Sequence, residues 1–526
     1  MIQRKTQTAQ YWQTFAPTPE DLDFLHTTLL DAGRPLTSRE LAIALITERC
    51  RREESELRAE LSRGVFYQPK NHYALHDKVI FPALDFRLGE VVGVRAGENP
   101  EYGAFEVITV DFGPDRRQRN FAAGLQAAHR LNADVPDQLA GADLASPERL
   151  LSDVAADVPA ILSRALAAQP GFAGFEDRWL MKDLLAEIHI GHLNLAEAAI
   201  EMHGGAVETL ALVRDLDLPS DIPDETLAFS LNSALAADGR FDQVGVGDER
   251  RWYLCRLEPP EALSMPEPLR FEPVDFDGAA PSVGLLQLAF DLDDEWSAGL
   301  ADEVTARAAA PTATLLLIYP HLIAGTLPLN RRARPFFPKG HGTRTMVTLI
   351  DGRWGNRFPA WVNHDGRYIA GLRPWFEKHK LTAGTYIVLE RRDDSGEIVV
   401  DFRPKRMRRE WTRWAQATDG RLDIQLRKQE IACEYDEQVI IGGDEKTKDL
   451  QELRDSAHYR QMSLRDLAFE VFTDLAGLSQ QGSVHARTIY SALNVLRRLP
   501  PEPIFAALAQ DERLEQSGDG AFRLSA

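Results

Sequence analysis

Cysteine is scarce in this chain. Cys50, Cys255 and Cys433 are the only three in 526 residues, widely separated and without a CxxC pair. That excludes a disulfide framework and a cysteine-rich zinc site, and it suits a reducing compartment. Long apolar runs are missing too, and none approaches the roughly 20 residues that span a bilayer. The polar stretch Met1 to Gln10 lacks the apolar core of a secretion signal. The expected location is the cytoplasm, with no membrane partner. No P-loop, dinucleotide-binding glycine fingerprint or GxSxG turn occurs. His189, His192 and His203, near Glu187, do not converge in a helical register and read as structural histidines. Asp401 with Lys405, or Asp111 with Glu106, lacks the further acidic strand that a metal-dependent nuclease needs. The chain is expected to be no enzyme and to use no cofactor or metal.

What is present is charge, unevenly placed. Residues 311–410 hold 18 Lys/Arg against 9 Asp/Glu, a local charge of +9 that leaves −29 on the rest of a chain whose net charge is −20. Phosphate binding needs clustered cations, so the chain reads as one basic module carried by acidic neighbours. Its length points to about three or four domains.

A repeated pattern supplies the neighbours. Near the C-terminus, Ser463 with Asp466 reads as a capping box opening a helix with Leu467, Val471 and Leu475 on its apolar face. Helical segments follow at Ala486 to Leu496 and after Pro500-Pro501, then two extended pieces around Gly518-Asp519-Gly520, a hairpin signal. Three helices and a hairpin make a winged helix. Leu235 to Leu254 repeats that ending, with Asp238 and Arg240 falling against Asp511 and Arg513. A looser copy has a helix with Leu22, Leu25 and Leu29, a second capped by Thr37 with Glu40, and a hairpin from Leu61 to Leu75. Carboxylates crowd the third helices (Glu53, Glu54, Glu56 and Glu60; Asp224 and Glu225; Glu502), which opposes phosphate binding. A scaffold or partner role is expected for at least one copy. Between copies, Leu88 to Arg95, Phe105 to Phe112 and Arg116 to Phe121 read as strands of a small sheet or barrel. The cluster Asp115 to Asn120 reads as a solvated hairpin tip.

The C-terminal copy, through Leu464 to Phe472, Pro500 to Phe505 and the Gly518-Asp519-Gly520 wing, resembles the HARE-type helix-turn-helix domain. That resemblance implies a DNA- or polymerase-associated adaptor.

The basic module alternates short strands (Thr312 to Tyr319, Thr345 to Ile350, Phe358 to Val362, Thr385 to Glu390, Glu397 to Phe402) with turns and one helical segment, Leu372 to His379, as barrels do. Gly325 to Leu329, Phe336-Phe337-Pro338, Trp361 to Tyr368, Gly371-Leu372, Trp375-Phe376 and Gly384 to Ile387 make it resemble the pseudobarrel DNA-binding domain of plant auxin-response factors, shared by some restriction enzymes. The resemblance implies two arms gripping the major groove. The first comprises Arg331, Arg332, Arg334, Lys339, His341 and Arg344, and the second Asn363, His364 and Arg367. Arg forks onto guanine, Asn pairs with adenine and Lys neutralises phosphate. The second arm has Asn-His-Asp-Gly in place of the plant serines, so base preference does not carry over. Arg403 to Arg409 extend the basic surface, and Trp411 and Trp414, spaced i, i+3, are expected to pack a helix.

The expected fold class is multidomain α+β. Winged helices are expected at 18–82, 172–258 and 462–526, a small β module at 84–130 and the basic pseudobarrel at 311–410. A helical linker is expected at 131–171, a linker at 259–310 and a connector at 411–461. The leading functional expectation is double-stranded DNA binding by a bacterial regulator or architectural factor, chiefly through the pseudobarrel. The alternatives are an acidic adaptor docking on RNA polymerase or another protein subunit, and the recognition subunit of a restriction or defence system.

Overall fold

The structure, a computed structural model, describes residues 4–84, 86–113, 118–132, 144–247, 249–297, 311–337, 339–392, 397–442 and 447–525. It is a multidomain α+β protein in two units, residues 1–187 with 218–233 and residues 188–217 with 234–526. No helix among the described residues is long and apolar enough to cross a membrane.

Unit one is built on α1 (Pro19–Ala32), β1 (Leu36–Thr37) and α2 (Ser38–Leu61). Both helices open in capping boxes, Thr18 with Asp21 and Thr37 with Glu40. Asp21 is fully buried and pairs with Arg49 of α2, which ties the helices together. Burial pushes its carboxyl up, but hydrogen bonds from Arg49 and Thr18 outweigh that and hold it below its ordinary range. Next come β2 (Val65–Phe66), β3 (Lys78–Phe81), β4 (Arg87–Ala96), β5 (Glu106–Asp111) and β6 (Arg119–Ala123), one five-stranded sheet in chain order. The hairpin expected between Leu61 and Leu75 does not form, because β2 runs parallel to β3 at the edge of this sheet. After α3 (Pro147–Asp153) and α4 (Val158–Ala167), β7 (Phe172–Phe175) and β8 (Arg178–Met181) make a hairpin, and β8 pairs with β1. Trp179 and Met181 of β8 enter the core of Leu25, Leu41 and Leu162. The β2–β6 sheet is thus inserted between β1 and the β7–β8 hairpin with which β1 pairs.

Unit two contains α5 (Ile190–His203), β9 (Val207–Glu208), α6 (Thr209–Asp215), the end of α7 (Asp224–Ala237, whose residues to Ser233 belong to unit one), β10 (Phe241–Gln243) and β11 (Arg251–Leu254). α8 (Val283–Leu292) leads to β12 (Thr312–Leu316), α9 (Tyr319–Ala324), β13 (Leu327–Pro328), β14 (Arg344–Asp351), β15 (Arg357–Asn363), β16 (Tyr368–Ala370), α10 (Arg373–His379), β17 (Tyr386–Arg392) and β18 (Glu397–Phe402). These strands form one nearly closed, barrel-like sheet in the order β12-β17-β18-β14-β15-β16-β13. Leu315, Leu349, Ile369 and Val400 lie in its core, and Trp375 and Phe376 of α10 join them. A ribbon follows, β19 (Pro404–Thr418) and β20 (Arg421–Cys433), reversing at Asp419 and Gly420. Both turn residues have positive φ, 50° and 73°, as the tightest hairpin reversal requires. β21 (Ile441–Gly442), α11 (Thr447–Asp455), α12 (Leu464–Ala476), β22 (Val484–His485), α13 (Ala486–Leu496), α14 (Pro501–Ala509), β23 (Leu514–Ser517) and β24 (Ala521–Leu524) end the chain.

Three small sheets share one arrangement: β1-β8-β7, β9-β11-β10 and β22-β24-β23, each with the last strand in the middle. In the second and third the hairpin starts alike. Asp238 accepts from the backbone and guanidinium of Arg240, which reaches Glu197 of α5; Asp511 does the same for Arg513, which reaches Asp466 of α12.

One buried charge cluster joins the barrel to the C-terminal helices. Arg498 Nη2 lies 2.7 and 2.8 Å from the Asp294 oxygens and 2.6 Å from Glu295 Oε1. Tyr490 of α13 donates to Asp294 at 2.5 Å. His321 of α9 touches Glu295 at 3.1 Å and Thr326 at 2.8 Å. Arg498, Asp294, Glu295, His321 and Tyr490 are all buried. Burial and the neighbouring Glu295 push the Asp294 carboxyl up to about 6, against the pull of Arg498. For Glu295, Arg498 and His321 overcome burial and hold the carboxyl low. Removing one partner of such a cluster strands the others in a low dielectric. Arg498→Met is therefore expected to cost unit two about 3–5 kcal/mol. Hydrogen exchange of the α13 and β13 amides measures it, and unchanged exchange contradicts the assignment.

Candidate nucleic-acid interface

The two expected arms lie on the barrel, one between β13 and β14 and the other on the β15–β16 turn. Most of their polar groups already have partners. Arg331 lies over the Phe290 ring, 3.6 Å from its centre, and pairs with Asp293 at 3.5 Å. Arg332 pairs with the same carboxylate at 3.6 Å. Arg334 donates to the Leu329 carbonyl. Arg344 is only 16% exposed, 2.6 Å from Asp242 and 3.3 Å from Glu258. Asn363 accepts from the Gly366 N–H and donates to Tyr368, closing its own turn. Arg367, at φ 59°, donates to the Glu295 carbonyl and stacks on Trp296. His364 is half-buried on that turn, while Lys339 and His341 are exposed.

The first arm is also packed on backbone. Gly247 N–H donates to the Lys339 carbonyl and Met346 N–H to that of Val244. A Cβ at Gly340 would lie 2.0 Å from the Gly245 oxygen, and one at Gly342 1.9 Å from the Gln243 oxygen. Only glycine permits that approach. The structure thus brings the arm residues together around acidic and carbonyl partners from 242–258 and 290–296.

Uncompensated cations lie instead on the ribbon. Its turn end is anchored by Ala415, Leu422 and Ile424 in the core of the C-terminal helices, where Tyr459 accepts from the Leu422 N–H. Its other end is anchored by Ile431 and Cys433, packed with Phe402, Trp414 and Ile441. Along the ribbon Arg406, Met407, Arg408, Arg409, Trp411, Arg427 and Lys428 are exposed, Arg406 to Arg408 opposite Ile431 to Cys433 and the others between the anchors. Arg406, Arg408 and Lys428 form no ion pair with a described residue, and Lys428 lies over Trp411 at 5.1 Å. Arg409 has a solvent-exposed pair with Glu430, worth little.

Trp411 and Trp414 do not pack a helix. They sit in β19 on opposite faces, Trp411 outward and Trp414 against the ribbon's own core. Spacing i, i+3 suits a helix, but in a strand an odd separation reverses the side. The sequence signal for the outward tryptophan was strand-type alternation across Arg409, Trp411 and Arg413. Of the cluster at 115–120, Asp115 to Arg117 lie outside the described residues, and Arg119 and Asn120 belong to β6. His189 caps α5 and stacks on His192, and His203 bonds the Ala199 carbonyl. Among the described residues no His/Cys/Asp/Glu group is arranged to hold a metal.

Compared with protein-family models, curated proteins and solved structures, the chain matches none.

Glu258 gives the arm packing a pH dependence. It is buried beside Asp242, and these two effects push its carboxyl up to about 8 despite Arg344. The folded state thus keeps a proton that the unfolded chain, titrating near the ordinary 4.5, releases. This stabilises the fold at low pH and is lost as pH rises through about 8. Thermal melting of the full chain is expected to fall over that window, by at most about 1.4 kcal/mol per pH unit. Glu258→Gln is expected to flatten the dependence; an unchanged slope contradicts the protonated carboxyl.

Proposed function

We propose that the protein binds double-stranded DNA, as a regulator or architectural factor without an active site of its own. On this reading the barrel is a pseudobarrel of the DNA-binding kind, and the three helix-and-hairpin modules are winged helices that add contacts or recruit partners. The grip differs from the one the resemblance implies. The carrying observation is the ribbon: Arg406, Arg408 and Lys428 have no ion-pair partner among the described residues and stand beside exposed Trp411, on two strands anchored at both ends. A two-stranded β-ribbon fits the major groove. Anchoring limits the conformational entropy lost on binding. The arm cations, engaged by Asp242 and Asp293, contribute little net attraction to phosphate.

One observation favours an adaptor role for the helical modules. α14, at the position of a recognition helix, is largely buried, with Pro501, Pro503, Ile504 and Phe505 inside. On α5, by contrast, Ile190, Leu195 and Met202 are exposed, Met202 at 87%. A protein partner such as a polymerase subunit suits those surfaces better than phosphate does.

Fluorescence anisotropy of the full chain on random duplex DNA tests the DNA reading. Each phosphate contact contributes about −0.9 to the slope of log K against log salt. Replacing Arg406, Arg408 and Lys428 together by Ala is expected to lower that slope by about 3 and affinity at least tenfold at about 50 mM salt. Replacing Arg331 and Arg332 is expected to change it little. No binding by the unmodified chain at that salt concentration contradicts the reading and leaves the adaptor role.

A further inference from the structure

A cavity of about 600 Å³ opens on the barrel between β15, α10 and the segment around Pro259. That volume falls within the roughly 300–1,000 Å³ of small-molecule sites. Its apolar surfaces are flat: the indoles of Trp361 and Trp375, the ring of Phe358, and prolines. Trp361 is 4% exposed, and its indole N–H has no acceptor among the described residues. A buried donor left unpaired is unfavourable, so a ligand acceptor is what its surroundings lack.

The polar groups of the cavity differ in kind. Asp351 is buried in its wall, accepting from His379 at 2.9 Å and from the Arg353 N–H at 2.9 Å. Burial pushes its carboxyl up, but those hydrogen bonds outweigh it and hold it below its ordinary range. It is therefore a fixed acceptor at neutral pH. Asn356 and Lys378 stand exposed on the lining, the Lys378 ammonium 3.9 Å from Asp351 and 4.0 Å from the Trp354 ring centre. Stacking faces, the orphaned Trp361 donor, one fixed carboxylate, an amide and an outer cation complement a planar heteroaromatic ring with donors and acceptors on its edge and a phosphate attached.

We propose that this cavity binds a nucleobase, stacked against Trp361 and Trp375 and read along its edge by the Trp361 N–H, Asp351 and Asn356, with Lys378 on the phosphate. The base comes from one of two sources. It is extruded from a duplex, in which case the inference rests on the DNA-binding reading, or it belongs to a free nucleotide.

Saturation-transfer NMR of the full chain with the four nucleoside 5′-monophosphates tests the cavity directly. Saturable binding is expected for at least one. Trp361→Phe, which keeps a ring and loses the N–H, is expected to weaken it about three- to tenfold. Lys378→Ala, at an exposed site that leaves folding undisturbed, is expected to weaken it about fivefold. No binding of any mononucleotide, or binding unchanged in both variants, overturns the proposal whatever duplex DNA does. Anisotropy with a duplex carrying one unpaired base separates the sources. Extrusion costs a few kcal/mol and least for an unpaired base, so an extruded base predicts about tenfold tighter binding than to the fully paired duplex. Equal affinities, with mononucleotide binding retained, assign the site to a free nucleotide. Binding of mononucleotides without duplex binding at low salt does the same and removes the DNA reading alone.

Discussion

Arg498 is the residue on which the arrangement of unit two depends. Its guanidinium, buried from solvent, holds Asp294 and Glu295 at 2.6–2.8 Å. Through them it fixes the segment that also presents Asp293 to Arg331 and Arg332, and the Glu295 carbonyl and Trp296 to Arg367. Desolvating such a cluster costs several kcal/mol per ion before attraction repays it. What it provides is position. Three elements far apart in sequence (the segment after α8, α9 with His321, and α13 with Tyr490) meet at one set of charges whose geometry admits few alternatives.

The consequence reaches the surface. A run of arginines without intervening carboxylates in sequence is not a free basic patch once folding delivers carboxylates from elsewhere. Asp242 comes to Arg344, and Asp293 to Arg331 and Arg332. On the ribbon the reverse holds. Its ends are consumed by two cores, so its middle is displayed while its backbone needs stay satisfied by strand pairing. On the proposed DNA-binding reading, rigid display of cations and an indole takes the place of mobile arms.

Local chemistry was legible in the sequence. The Thr37–Glu40 and Ser463–Asp466 caps form. The matched Asp238–Arg240 and Asp511–Arg513 pairs make the same contacts. Five of the barrel's seven strands and α10 lie where alternation and turn residues put them, while the short β13 and β16 were not among the expected runs. Each of those signals spans a few residues. Long-range facts were not legible. Nothing local announces that β8 closes a module begun at β1, because the β2–β6 sheet lies between them. Nor does composition reveal which carboxylate meets which arginine. The two tryptophans of β19 failed for another reason: a spacing of three fits a helix face, and only the strand periodicity of their neighbours distinguishes the two.

Hydrogen exchange of the full chain with and without duplex DNA at low salt tests the central claim most directly, that the ribbon and not the arms meets the phosphates. DNA-dependent protection is expected at residues 404–413 and 425–433, with 331–337 and 363–368 unchanged. Protection at the arms with none on the ribbon would contradict it.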